Sequence, residues 1–327
     1  MKTSNTIADA VIFDLDGTIT DTEKYYQTAW REALEHFGWK ATPEMLLELR
    51  SLGRPFAQEK LNEWFGEDCS FDEVLAECKK IVNGIIDRNG IDLKPGAPGL
   101  LEFLHEKGIA SALATANDLE TIKRNLGKAG IAERFDRIIC ADMVPAGKPA
   151  PDIYIYACEQ LGIRPDRAFA VEDSPNGVIS AYNAGCRVIM VPDLTEPDEL
   201  LQSMLYARTD SLDEIKELLA GPAAEAQDKL YGQIRRIRRF EAFMQEADRK
   251  LKDTDAFADD PMLASQISEL GAYYGSSEWK QDFEADEAGL LPPGLKRGVL
   301  SEDGIFNLLS EYDEFIGQAA DDEKGEE

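Results

Sequence analysis

Along the first 220 positions, short apolar runs give way to helical periodicities and back again. Val11, Ile12 and Phe13 form a β-branched and aromatic run that predicts a buried strand, and it stops at Asp14. From Thr22 to Asn89 the pattern turns helical. Tyr25, Tyr26, Ala29, Ala33, Leu34 and Phe37 recur at three- and four-residue steps until Gly38, and further helices follow around Pro43–Leu49, Pro55–Trp64 and Phe71–Ile86. No strand signal interrupts them. After Pro95-Gly96, strand and helix alternate. Strands are expected at 109–114, 138–141, 168–171 and 188–191, each preceded by a helix (99–107, 119–129, 152–161 and 176–184). That alternation predicts βαβ units, right-handed crossovers and a parallel sheet covered on both faces. The strands end in polar residues: Thr115-Ala116-Asn117, Asp142, Glu172-Asp173-Ser174 and Pro192-Asp193. In such a sheet those ends gather on one edge, together with Asp14 and Asp16.

Gly221-Pro222 closes this pattern. A long amphipathic helix follows, carrying Leu230, Ile234, Ile237, Met244 and Leu251, then a second segment with Leu263, Ile267, Leu270 and Tyr274. A third, Ser301 to Ile316, opens with a Ser N-cap backed by Glu302 and Asp303. The acidic stretch 321–327 reads as disordered. The expected architecture is α/β. It comprises a three-layer Rossmann-like parallel sheet from 1–19 and 91–220, an inserted all-α cap from 20–90, and an all-α C-terminal domain from 221–327.

Charge removes several function classes. Of the net −28, residues 221–327 contribute 12 Lys/Arg against 25 Asp/Glu, so this third of the chain carries nearly half the excess. Neither part suits nucleic-acid backbones or anionic membranes. The one basic cluster, Arg235, Arg236, Arg238 and Arg239, has acidic neighbours and reads as a salt-bridged helix face. No run approaches the roughly 18 apolar residues of a membrane span, and 1–10 lacks an apolar secretory core. Five scattered cysteines without a C-x-x-C pair fit reduced thiols in a cytoplasm. With only His36 and His105, both in helical segments, a histidine-rich zinc site or a serine–histidine triad is not expected.

The chemistry concentrates in VIFDLDGTITD, Val11 to Asp21. In extended backbone, side chains at i and i+2 point the same way, so Asp14 and Asp16 aim at one point beyond a buried strand. That is the edge where open α/β sheets bind ligands. A calcium loop fails on spacing, since Ile19 and Tyr25 stand where an EF-hand needs Gly and Glu. A solvated turn leaves the apolar strand in front of it unexplained.

Four motifs in order, DLDGT (Asp14, Asp16, Gly17, Thr18), Thr115, GKPAPD (Lys148) and EDSPNG (Glu172, Asp173), resemble those of the haloacid dehalogenase-like phosphohydrolases. The resemblance is to the β-phosphoglucomutase-like branch with a helical cap and covers roughly 8–219. Four carboxylates (Asp14, Asp16, Glu172, Asp173) then converge on a small volume. Two like charges about 4 Å apart repel by roughly 4 kcal/mol at an effective dielectric of about 20, so a cation is required. A histidine-free oxygen site suits Mg²⁺. The resemblance implies metal contacts from Asp14, the Asp16 carbonyl and Asp173, with Glu172 supporting a bound water. It also implies that Asp14 is a nucleophile forming an aspartyl-phosphate and that Asp16 is general acid, then general base. Thr115 and Lys148 would bind phosphoryl oxygens, while Gly17, Thr18, Asn117 and the cap residue Arg54 are expected to bind substrate. EDSPNG also reads as a helix start, with Ser174 as N-cap and Pro175 in the first turn; both can hold, because a helix N-terminus favours phosphate. Lys148 belongs to no Walker P-loop, since Asp142 and Pro149 stand where that motif needs Gly and Ser or Thr.

The cap decides the substrate. Arg54 aligns with a phosphate-binding arginine of the mutase, with Arg50 and Lys60 as further cap candidates, whereas Tyr26 stands where the mutase keeps a histidine. The expected function is Mg²⁺-dependent hydrolysis of a small phosphorylated metabolite resembling a sugar phosphate. A sugar phosphomutase, and a phosphate-sensing adaptor acting through the C-terminal domain, remain the alternatives. The C-terminal part is similar to a small bacterial domain family of unknown function with a YY…W…D…GLLP…GVLSED pattern. That resemblance implies a boundary and a helical fold; without a His, Cys or acid cluster of clear geometry, the segment reads as a module for binding a protein partner or self-association, with a second active site as the other reading.

Overall fold

Ala10, Val11, Ile12 and Phe13 are fully buried and form β1 (Ala10–Phe13), the strand around which the sheet is built. The computed structural model describes residues 7–252 and 260–325. With β2 (Ala110–Thr115), β3 (Arg137–Cys140), β4 (Ala168–Glu172), β5 (Arg187–Met190) and β6 (Leu205–Arg208), β1 forms a parallel sheet in the order β3-β2-β1-β4-β5-β6. The first four strand expectations after the cap fall within one residue of β2 to β5. β6 was not expected: its apolar run Met204-Leu205-Tyr206-Ala207 starts inside a helix, and only Tyr206 of the strand's four residues is buried at that sheet edge.

The chain leaves β1 toward β2 on one side and returns to β4 on the other. The strand order therefore reverses at β1, which places a crevice outside its carboxyl end. One face of the sheet, with Ile12, Ala112, Ala114 and Ala170, packs on Ile153, Tyr154 and Ala157 of one helix and Val178 and Ala181 of another.

Four helices lie between β1 and β2: α1 (Glu23–His36), α2 (Pro43–Glu48), α3 (Arg54–Phe65) and α4 (Phe71–Asn89). They enclose their own core, with Ala29, Ala33 and Leu34 of α1 against Val74, Cys78, Val82 and Ile86 of α4. The two chain passages joining them to the sheet pair with each other. Asp21 N donates to Asp92 O at 2.8 Å and Lys94 N to Ile19 O at 2.9 Å. The layers around the sheet are completed by α5 (Ala97–Lys107), α6 (Leu119–Ala129), α7 (Asp152–Leu161), α8 (Pro175–Ala184), α9 (Glu199–Met204) and α10 (Ile215–Ala220). All five cysteines are free and buried.

Two compact units divide at Ala224/Glu225. The second holds α11 (Ala224–Leu251), α12 (Pro261–Tyr274), α13 (Ser277–Glu287) and α14 (Glu302–Gly325) around a core of Ile237, Phe240, Leu263, Leu270, Trp279, Val299 and Ile305. The acidic α13 was not expected, since its buried residues are only Trp279, Asp282 and Ala285. Asp282 is fully buried and fully engaged. It accepts from Arg236 Nε (2.7 Å) and Nη2 (2.6 Å), Tyr273 Oη (2.8 Å) and Gln233 Nε2 (3.2 Å). Trp279 Nε1 donates to Val299 O at 3.0 Å. The Tyr, Trp and Asp of the sequence pattern thus tie the helices together. Arg236 and Arg239 are ion-paired, to Asp282 and Glu269, as a salt-bridged face requires. α14 continues to Gly325, past the point where an unstructured end is expected, because helix propagation adds one bond per residue fixed. Residues 326–327 lie outside the described residues.

Candidate active site

Asp14 directly follows β1, and its N–H donates to Val171 O at 3.0 Å, continuing the β1–β4 ladder. This brings its carboxylate beside Glu172, the last residue of β4, and Asp173; all three are buried. Ligand oxygens of Asp14, Glu172 and Asp173 lie within 4.8 Å of one another. Two glycines permit the crowding. Gly17 has φ +85°, and a Cβ there would overlap the Asp173 carboxylate; a Cβ on Gly177 would overlap that of Glu172.

Lys148 supplies the charge between them. Its side chain is fully buried, with Nζ 2.6 Å from Asp14 Oδ1 and 2.6 Å from Glu172 Oε1. Burial works against the ammonium, yet the two carboxylates hold its pKa above the ordinary lysine range. Burial raises the carboxyls of Glu172 and Asp173, against the pull of Lys148 on one and Arg50 on the other. The Tyr154 hydroxyl from α7 donates to Glu172, and the Ser174 hydroxyl accepts from Gly177 N at 3.2 Å as the N-cap of α8. The Thr18 hydroxyl donates to Asp173 Oδ1 at 3.4 Å.

Asp16 is held separately. The Thr22 hydroxyl donates to Oδ1 and Asn117 Nδ2 donates to Oδ2 at 2.5 Å. Asn117 Oδ1 accepts from the Tyr26 hydroxyl of the cap at 3.2 Å, and burial keeps that phenol protonated. Desolvation pushes the Asp16 carboxyl up to about 7; Asp14 adds to the rise, while Thr22, Asn117 and Lys148 oppose it. Asn117 thus holds the Asp16 carboxylate and also lines the cavity. Thr115 ends β2 beside these groups, and its Oγ1 accepts from Asn117 N at 3.2 Å, which leaves its proton to donate.

The α1–α4 layer closes one side of a cavity of about 310 Å³ lined by Asp14, Asp16, Thr115, Asn117, Lys148 and, from the helices, Tyr26, Trp30, Arg50, Arg54 and Phe71. Arg54 stands at its rim with a side chain 63% exposed and is paired with Asp72 within the cap. Arg50 is the arginine that reaches the carboxylates. It is buried, with Nε 3.1 Å from Glu23 Oε1, Nη1 3.0 Å from Thr195 Oγ1 and Nη2 on Asp173. Lys60 pairs with Glu48 on the surface. Glu23 and Tyr154 carried no sequence signal of their own, although Glu23 lies two residues past the acidic motif.

Around the site, the carboxylates of Asp14, Asp16, Glu23, Glu172, Asp173 and Asp193 thus face the cations of Lys148, Arg50 and Lys94. The donors are oxygens throughout, so the chemistry of the set fits Mg²⁺.

Similarity to known proteins agrees with this geometry. Residues 11–191 match the family described as haloacid dehalogenase-like hydrolase, and residues 236–321 match a domain of unknown function (DUF4298). A phosphorylated carbohydrates phosphatase of Thermotoga maritima is 30% identical over 220 residues, 64% of this chain and 100% of that protein. Hexitol phosphatase A of Escherichia coli is 31% identical over 59% of this chain and 90% of its own length. The crystal structure of β-phosphoglucomutase from Clostridium difficile superposes with a TM-score of 0.58 over 68% of this chain and 98% of that one, at 24% identity, a likeness of fold. No helix among the described residues is long and apolar enough to cross a membrane. With phosphatases among its relatives and the acidic site of β1 and β4 in place, the chain belongs to the haloacid dehalogenase-like hydrolases and is a phosphatase of that family.

Proposed function

We propose that this protein hydrolyses a small phosphorylated metabolite, resembling a sugar phosphate, through an aspartyl-phosphate on Asp14. The observation that carries the reading is the buried Lys148 ammonium, 2.6 Å from Asp14 Oδ1, with Asp16 clamped two residues away. Asp14 attacks phosphorus. Asp16, with its carboxyl near 7, gives its proton to the leaving oxygen and then takes one from the attacking water. Lys148 and the Thr115 hydroxyl hold phosphoryl oxygens, and the turn at Gly17 and Thr18 shapes the seat. Asn117 keeps Asp16 aimed, and Arg54 at the rim meets the distal part of the substrate. A Mg²⁺ held by Asp14, the Asp16 carbonyl and Asp173, with Glu172 behind them, would neutralise charge between carboxylates and phosphate. The free thiols fit a reducing compartment such as the cytoplasm. The 225–327 unit, whose conspicuous acid is fully engaged, is assigned to binding a protein partner or a second copy.

The test is phosphate release from a panel of phosphate esters with Mg²⁺ and with EDTA, for the wild type and Asp14→Asn. The variant keeps the wild-type melting profile and loses activity. Full activity in Asp14→Asn refutes the nucleophile, interconversion of sugar phosphates favours the mutase reading, and no turnover of any ester favours the adaptor.

A further inference from the structure

Arg50 occupies a place its sequence position does not announce. It follows α2 in the segment that leads into α3, yet its guanidinium is buried among Glu23, Thr195 and Asp173. Both Asp173 oxygens are engaged, Oδ2 by Arg50 and Oδ1 by the Thr18 hydroxyl. The loop that carries Arg50 is fixed to the sheet side at three further points. Asn176 Nδ2 donates to Glu48 O at 3.1 Å and to Arg50 O at 2.8 Å, and Gly53 N donates to Lys148 O at 2.6 Å. The arginine cannot relieve the site by losing a proton, since guanidinium stays charged at any working pH.

Resting on the phosphohydrolase reading of this site, we infer that Arg50 is a built-in competitor of the divalent cation. Its guanidinium holds the cap loop down by binding the carboxylate of Asp173, one of the acids grouped to hold the cation. A dication beside Asp173 and a guanidinium on its Oδ2 repel one another, so the cation binds well only when Arg50 withdraws. Withdrawal removes the ion pair that spans cap and sheet. By linkage the coupling is reciprocal: a closed loop weakens cation binding by the factor by which the cation weakens loop closure. The cation-free protein is thus kept shut and charge-compensated, and cation uptake loosens it for substrate entry. The opposite arrangement, with Arg50 steadying Asp173 as a ligand, predicts the opposite sign.

The test measures Mn²⁺ affinity of the full chain from the free-ion paramagnetic resonance signal, without substrate. Arg50→Met keeps the buried volume and removes the charge, and it is expected to bind Mn²⁺ about fivefold or more tightly than wild type. Thr195→Val removes only the hydroxyl that accepts from Nη1. It is expected to tighten binding by a smaller factor, and it decides the question if Arg50→Met does not fold. Hydrogen exchange over 49–55 gives a second readout: Mg²⁺ speeds exchange in the wild type. Unchanged or weaker Mn²⁺ binding in the variants overturns the proposal, as does exchange that Mg²⁺ slows or leaves unchanged. If affinities shift as expected while no phosphate ester is hydrolysed, the competitor stands and the hydrolase reading falls.

Discussion

Asp16 shows how much of a residue's chemistry is set by its immediate partners. Its carboxyl sits near 7 because desolvation outweighs the hydrogen bonds from Thr22 and Asn117. A group with that pKa can serve in turn as acid and base near neutral pH. The Asn117 amide fixes its direction, so Asn117→Ala is expected to lower kcat by about 10²-fold with KM less affected, as steady-state kinetics would read. A change confined to KM would make Asn117 a substrate contact instead. Gly17→Ala is expected to cost cation affinity as well as activity, because the new methyl meets Asp173 in a backbone conformation that alanine resists. Calorimetric titration with Mg²⁺ checks it. The common aim of Asp14 and Asp16 is legible in their two-residue spacing, because strand geometry alone sends both side chains one way. Which cap arginine reaches Asp173 is not. Arg54, favoured by alignment, begins α3 at the rim, while Arg50 is turned inward by packing that no local pattern records.

At the level of elements, the cap loop meets the sheet through two glycines. A Cβ on Gly53 would fall 2.7 Å from the Gly147 Cα, a backbone atom that cannot give way as a flexible side chain would. Gly53→Ala is therefore expected to hold the loop off the site, reduce kcat/KM by about 10²-fold and lower the melting temperature as the buried contacts of the loop are lost. In the helical unit, Asp282→Ala strips the shared acceptor from Arg236, Tyr273 and Gln233. Arg236 keeps some access to water, so the loss is that of stranded partners, about 1–3 kcal/mol, which denaturant unfolding of the full chain would show as an earlier transition of that unit. Activity at permissive temperature is expected to persist. Strands β2 to β5 were legible because buried parallel strands are continuous apolar runs. β6 and α13 were not, one being a half-buried edge strand and the other a helix with three buried positions.

For the whole molecule, every residue of the candidate site lies in the first unit. A chain cut after residue 224 is expected to keep Mg²⁺-dependent phosphatase activity, and a large loss in the same assay would assign the second unit a part in turnover. The alternation of apolar strands and amphipathic helices determined the parallel sheet, since only one layer arrangement buries those faces. It also placed the polar strand ends on a common edge, because parallel strands share a direction. Tertiary structure alone decided the reversal at β1 that sets Asp14 between Thr115 and Glu172. It alone decided the ion pairs of Lys148 and Arg50 as well. The physical reason is one of range: hydrophobic period is a property of neighbouring residues, whereas a buried charge takes its partner from wherever in the chain packing delivers one, here as far as 134 positions away.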